Sequence, residues 1–109
     1  MNPPLKTPVF HILLSLTAGD LHGLGVADWV EAATDGAVEL GPGTLYRSLK
    51  AMADRGLIRE VDAPIDDADP RRRYYTITAA GRDLVIAEAA RLERLVAVAR
   101  ERKLLQEQA

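Results

Sequence analysis

The stretch Gly41-Pro42-Gly43-Thr44-Leu45-Tyr46-Arg47-Ser48-Leu49-Lys50-Ala51-Met52-Ala53-Asp54-Arg55-Gly56 decides the fold. Gly-Pro-Gly makes a tight turn. Proline near a helix start is well placed, because its missing N–H would find no intrahelical partner there. At about 100° per residue, Leu45, Leu49, Met52 and Ala53 share one helix face, while Thr44, Arg47, Ser48, Ala51 and Arg55 share the opposite one. Tyr46 and Lys50 lie on the flanks. The apolar face predicts burial, the other presents small polar and cationic groups, and Gly56 suits a left-handed helix end.

Upstream, Thr7 before Pro8 reads as a hydroxyl cap and helix start, with the helix running to about Ala18. A second helix begins near His22-Gly23 and carries Val26, Trp29, Val30 and Ala33 as an apolar stripe, which places Trp29 in the core. Thr34-Asp35-Gly36 ends it, and Val38-Glu39-Leu40 reads as a short extended piece. Downstream, Leu57 to Val61 reads as a strand and Arg73 to Thr78 as its returning partner. Between them, Asp62 to Arg71 is a loop with two prolines and four aspartates. Thr78 caps a last helix that reaches about Leu105. The order is helix, helix, helix, hairpin, long helix: a mainly α, α+β chain.

The last helix is too long for its domain. About 26 residues span roughly 39 Å, whereas a compact domain of this size has a radius of gyration of about 13 Å. One apolar stripe holds Val85, Ala89, Leu92, Val96 and Ala99; another holds Ile86, Ala90, Ala97 and Leu104. One can pack on the helix's own domain, and the other calls for a partner chain, which predicts a homodimer.

The chain has 109 residues, 48% of them hydrophobic, which fits one globular domain and excludes wholesale disorder. It contains no cysteine, which excludes disulfides, thiolate metal sites and a cysteine nucleophile. The apolar run Val9 to Leu16 falls far short of the ~20 residues of a membrane span. The segment before it does not resemble a signal peptide, so the expected location is the cytoplasm. The net charge of −2 argues against a phosphate binder until it is divided. Residues 1–40 carry one positive and five negative charges, and residues 83–109 five of each, but residues 41–82 carry eight positive and six negative.

That net-positive segment holds the candidate chemistry. A helix presenting Thr44, Arg47 and Ser48 can enter a DNA major groove, where arginine bonds guanine and threonine meets a thymine methyl or a phosphate. The N–H groups near Gly43 and Thr44 favour a phosphate oxygen. Arg71, Arg72 and Arg73 at the hairpin suit backbone or minor-groove contact. The plainer alternatives are a solvated helix face and a turn neutralised by Asp66, Asp67 and Asp69. Neither those aspartates nor His11 and His22 have the spacing of a metal site, so no metal or cofactor is expected. No catalytic set is apparent and an enzyme is not expected.

Leu21-His22-Gly23, Gly41-Pro42-Gly43-Thr44-Leu45-Tyr46-Arg47-Ser48-Leu49, Gly56-Leu57-Ile58 and Arg73-Tyr74-Tyr75-Thr76-Ile77-Thr78-Ala79-Ala80-Gly81 together resemble the PadR family of bacterial transcriptional regulators. The resemblance covers nearly the whole chain, from about Thr7 into the last helix. It implies a winged helix-turn-helix over residues 1–78 and a dimerisation helix over 79–109. It also implies a homodimeric repressor that binds a pseudo-palindromic DNA operator and is released by a small effector. By position, Gly43, Thr44, Tyr46, Arg47, Ser48 and Lys50 would meet DNA from the recognition helix, and Arg71, Arg72 and Arg73 from the wing. Phe10 would join Val85, Ala89, Leu92, Val96 and Ala99 in the dimer. The family often has an aromatic residue where this chain has Leu24, and a serine where it has Gly41. No aromatic residue follows Tyr75, which leaves Phe10 and Trp29 as candidates to line an effector pocket. The second reading is a winged-helix protein-interaction module that does not bind DNA, its acidic loop serving a basic partner.

Overall fold

A computed structural model describes residues 3–106. Its elements are α1 (Thr7–Ser15), β1 (Leu21–His22), α2 (Gly23–Ala33), α3 (Pro42–Asp54), β2 (Ile58–Val61), β3 (Tyr74–Ile77) and α4 (Ala79–Glu101). The strands form one antiparallel sheet in the order β1-β3-β2, with Leu21 opposite Tyr75 and Glu60 also opposite Tyr75 on the other edge.

The core lies where three helices meet the sheet. Ile12, Leu13 and Leu16 come from α1 and its end, Val26 and Val30 from α2, and Leu45, Leu49 and Met52 from the expected face of α3. Ile58, Tyr75 and Val85 close it. Each fully buried aliphatic side chain contributes roughly 1.5–3 kcal/mol relative to exposure.

Several expectations need correcting. α1 starts one residue early, at Thr7, with Lys6 as its uncapped N-cap, and stops at Ser15 instead of Ala18. Leu16 and Thr17 leave the helix by turning back onto the carbonyls of Leu13 and Leu14. Leu21–His22, unassigned from the sequence, is a third strand, and Val38 to Leu40 forms none. Trp29 is not core: the buried arc of α2 takes Val26 and Val30, leaving Trp29 37% exposed. The last helix ends at Glu101, short of Leu105.

Two junctions hold the architecture. Gly56 (φ +75°) takes the left-handed conformation that ends α3 and starts the hairpin. At the other junction, the Thr78 hydroxyl accepts the Gly81 N–H at 3.1 Å and donates to the Gly56 carbonyl at 2.6 Å. Gly81 packs so closely that a Cβ there would lie 2.1 Å from the Leu57 carbonyl oxygen, so no side chain fits.

α4 divides into a fixed half and a projecting half. Val85 is buried in the chain's own core, which removes it from any interface with a partner. Glu88 is also buried; it accepts the Leu5 N–H at 3.1 Å and pairs with Arg91 at 2.7 Å. Hydrogen bonding from Arg91, then from Leu5, holds the Glu88 carboxyl below the usual carboxylate range. Beyond Leu92 the helix leaves the domain, with Leu95, Val96 and Val98 exposed. The molecule is accordingly 50 Å long, with a radius of gyration of 15.6 Å.

Candidate nucleic-acid interface

α3, the start of α2 and the hairpin share one side of the molecule. On α3, Tyr46 and Arg47 are exposed, while Thr44 and Ser48 are half-buried. Tyr46 leans across to α2, where a Cβ at Gly23 would lie 3.0 Å from its hydroxyl; glycine there makes room for the ring. Arg47 folds back along its own helix, its Nη1 3.1 Å from where a Gly43 Cβ would stand. Lys50 is exposed and tied to Asp54 at 3.2 Å, one turn on. Arg47 pairs with no carboxylate among the described residues. It also lines, with Ser48, Ala51, Arg55, Lys6 and Leu84, a cleft of about 520 Å³ between α1, α3 and α4.

The three wing arginines are each beside a carboxylate. Arg71 meets Asp69 at 3.4 Å, Arg72 meets Asp67 at 3.8 Å, and Arg73 donates to Glu60 at 2.8 Å. Two of the expected neutralising aspartates thus take part. Asp66 is in none of these pairs, and Glu60, from the facing strand, takes the third. Glu60 pairs with Tyr75, so Arg73 is its diagonal neighbour on the same sheet face.

Asp67 organises the loop. Its side chain is only 3% exposed; it accepts the Tyr74 hydroxyl and the Asp69 N–H. The Tyr74 hydroxyl, then the Asp69 N–H, hold its carboxyl below the usual range, and Asp67 in turn raises Tyr74 above the usual phenol range. Burial raises Tyr75. Tyr74 also meets the His22 ring edge-on, centroids 5.3 Å apart. Sequence spacing marks Asp67 only as a neutralising neighbour of the arginines, and gives His22, Glu60 and Tyr74 no place on this face. The legible signal was His22 one residue before a helix, at the capping position.

The remaining candidates lie apart from this face. Ala89 and Val96 are exposed on α4, and Leu92 and Ala99 half-buried. Phe10 is half-buried, its ring edge-on to His11. Neither Phe10 nor Trp29 lines the cleft beside Arg47. No group of three metal-ligating side chains is found among the described residues, and no described helix is long and apolar enough to cross a membrane.

Three helices with a β-hairpin beside the third define a winged helix-turn-helix. Residues 12–86 match the transcriptional regulator PadR-like family, and the chain belongs to that family. An uncharacterized 37.1 kDa protein in transposon TN4556 of Streptomyces fradiae is 33% identical over 84 residues, 77% of this chain. The match covers 22% of that protein, so the chain spans about a fifth of its length. Among solved structures, a PadR family transcription regulator from Clostridium difficile aligns with a TM-score of 0.75 at 23% identity, covering 88% of this chain and 97% of that one. Bacillus subtilis PadR in complex with operator DNA aligns at 0.63 and 17% identity, covering 95% of this chain and 50% of that one. These likenesses concern the fold.

Proposed function

We propose that the chain is a homodimeric, sequence-specific DNA-binding repressor, with residues 1–78 reading DNA and residues 79–109 joining two copies. The carrying observation is the exposed face of α3, with Tyr46 and the cation Arg47, in a chain of this family that also has the wing. The fold shared with an operator-bound PadR supports the same reading. α3 enters the major groove, with Gly43, Thr44, Ser48 and Lys50 around Tyr46 and Arg47. Arg71, Arg72 and Arg73 flank the backbone. Two-fold symmetry sets the recognition helices about one DNA turn, ~34 Å, apart on a pseudo-palindromic site.

The exposed distal face of α4 supports dimerisation, with Leu92, Val96 and Ala99 continuing the face that Val85 occupies within the domain. Phe10 and Ala89 flank that surface. An effector in the cleft beside Arg47 would touch the reading helix directly, and would release DNA by binding better to a dimer with misplaced helices. Such a regulator works in the cytoplasm, and the reading requires no catalysis.

Sedimentation and duplex titration test this together. Wild type is expected to sediment as a dimer and bind a duplex selected from a random pool; Leu95→Glu is expected to be monomeric and to bind weakly. A dimer that retards no duplex at low salt points to the protein-interaction module, a reading that the carboxylates paired with the wing arginines favour.

A further inference from the structure

His22 faces hydrogen-bond donors at both ring nitrogens. Its Nδ1 accepts the Gly25 N–H at 2.9 Å, capping α2. A neutral imidazole whose Nδ1 accepts carries its proton on Nε2. That Nε2 lies 3.3 Å from Nη1 of Arg72, and a guanidinium has only donors. The contact is therefore N–H against N–H. The other tautomer moves the conflict to Gly25, and a doubly protonated ring meets a donor on both sides. No protonation state satisfies both neighbours. An acceptor lodged against both N–H groups does.

The space for one is present. His22 and Arg72 line a cleft of about 230 Å³ with Tyr46, Arg73, Leu24 and Tyr75, between α3, the start of α2 and the wing. Its donors are held in place: Asp67 is 3.8 Å from Arg72, and Tyr74, which donates to Asp67, packs edge-on against the His22 ring. Asp67 and Glu60 offset the charges of Arg72 and Arg73. The cleft thus offers directed donors with little net charge. That suits an oxyanion delivered by a larger bound molecule better than a free ion captured from solution.

We propose that the His22 Nε2–H and Arg72, with the Tyr46 hydroxyl, seat one backbone phosphate of a bound duplex. The proposal rests on the DNA-binding reading above and adds to it a contact from the start of α2. His22 then has two roles, one for each ring nitrogen.

The two roles separate by substitution. In His22→Asn the amide oxygen keeps the cap on Gly25, since asparagine is a favoured N-cap residue, but the distal donor is gone. Anisotropy titration uses a duplex selected by the wild-type chain and copies carrying single methylphosphonates. His22→Asn is expected to stay folded with a melting temperature only a few degrees lower, from the lost ring contact with Tyr74. It is expected to bind more weakly by roughly tenfold or more, as for one hydrogen bond from a neutral donor to a charged acceptor, and to keep the wild-type salt slope. The methylphosphonate that weakens wild type at this contact is expected to weaken the variant less, because only Arg72 and the Tyr46 hydroxyl still reach that phosphate. Arg72→Gln serves as the second variant and should lower the salt slope, by less than a full unit because Asp67 already offsets part of its charge. Unchanged affinity in His22→Asn, or the same methylphosphonate profile as wild type, overturns the seat. Competition by inorganic phosphate beyond ionic-strength-matched chloride also overturns it, assigning the cleft to a free anion. Failure of wild type to bind any duplex overturns the DNA reading itself.

Discussion

Arg47 on α3 and Arg73 at the wing are both open to solvent, yet their electrostatic settings are opposite. Arg47 lies along its own helix with no carboxylate partner among the described residues. Arg73 donates to Glu60 at 2.8 Å, and the other two wing arginines also have an aspartate each. A phosphate or base edge can engage Arg47 by displacing only water. At the wing it must compete with a built-in anion, although an exposed pair holds its partner by only about 0.2–1 kcal/mol. A count of cations is therefore a poor guide to which of them bind. Within the net-positive segment, Arg47 is left without a carboxylate partner among the described residues, whereas the arginine run of the wing is offset residue by residue.

The comparison can be broken by four measurements. Arg47→Ala should cause the largest loss, roughly 1–3 kcal/mol of specific affinity if it reads a base, seen as relaxed preference at one operator position. A smaller change is expected in the wing: Arg73→Ala should weaken all sequences alike and lower the salt slope by less than the full unit of an unpaired contact. Glu60→Gln should act in the opposite direction, tightening binding a few-fold and steepening the slope as Arg73 is released. Weaker binding in Glu60→Gln would mean that the pair positions Arg73 and does not restrain it. The smallest effect should be in pH. The Asp67 carboxyl is held below its usual value, so its contribution to loop order is complete above about pH 4. That contribution disappears as pH falls through the lowered value. In Tyr74→Phe, which removes the main cause of the shift, the loop's amide protection should be lost at a higher pH.

Much of the fold was readable because it rests on long patterns. The buried face of α3, the hairpin, the Thr78 cap and the Gly56 turn all follow from periodicity or turn chemistry. Elements set by tertiary packing were not readable. β1 is two residues long, too short for any alternation, and exists because β3 has a free edge beside it. Trp29 has the spacing of a core residue, but the buried arc of α2 is narrow and the ring falls outside it. On the candidate site, the exposed residues of α3 were readable from the helix itself. The Arg73–Glu60 pair depends on hairpin register, and the His22–Arg72 approach joins residues 50 apart in the chain. Sequence spacing carries neither.

Thr78 has a mechanical consequence. Its hydroxyl is bonded on one side to the turn that ends α3 and on the other to the first turn of α4. Gly81 removes the clearance between them, because α4 rests directly on the Leu57 backbone. The end of α3 and the start of α4 are therefore tied by one shared hydroxyl and one close backbone approach, a link that does not run through the apolar core. A tilt of the arm would bear on the end of the helix that carries Arg47.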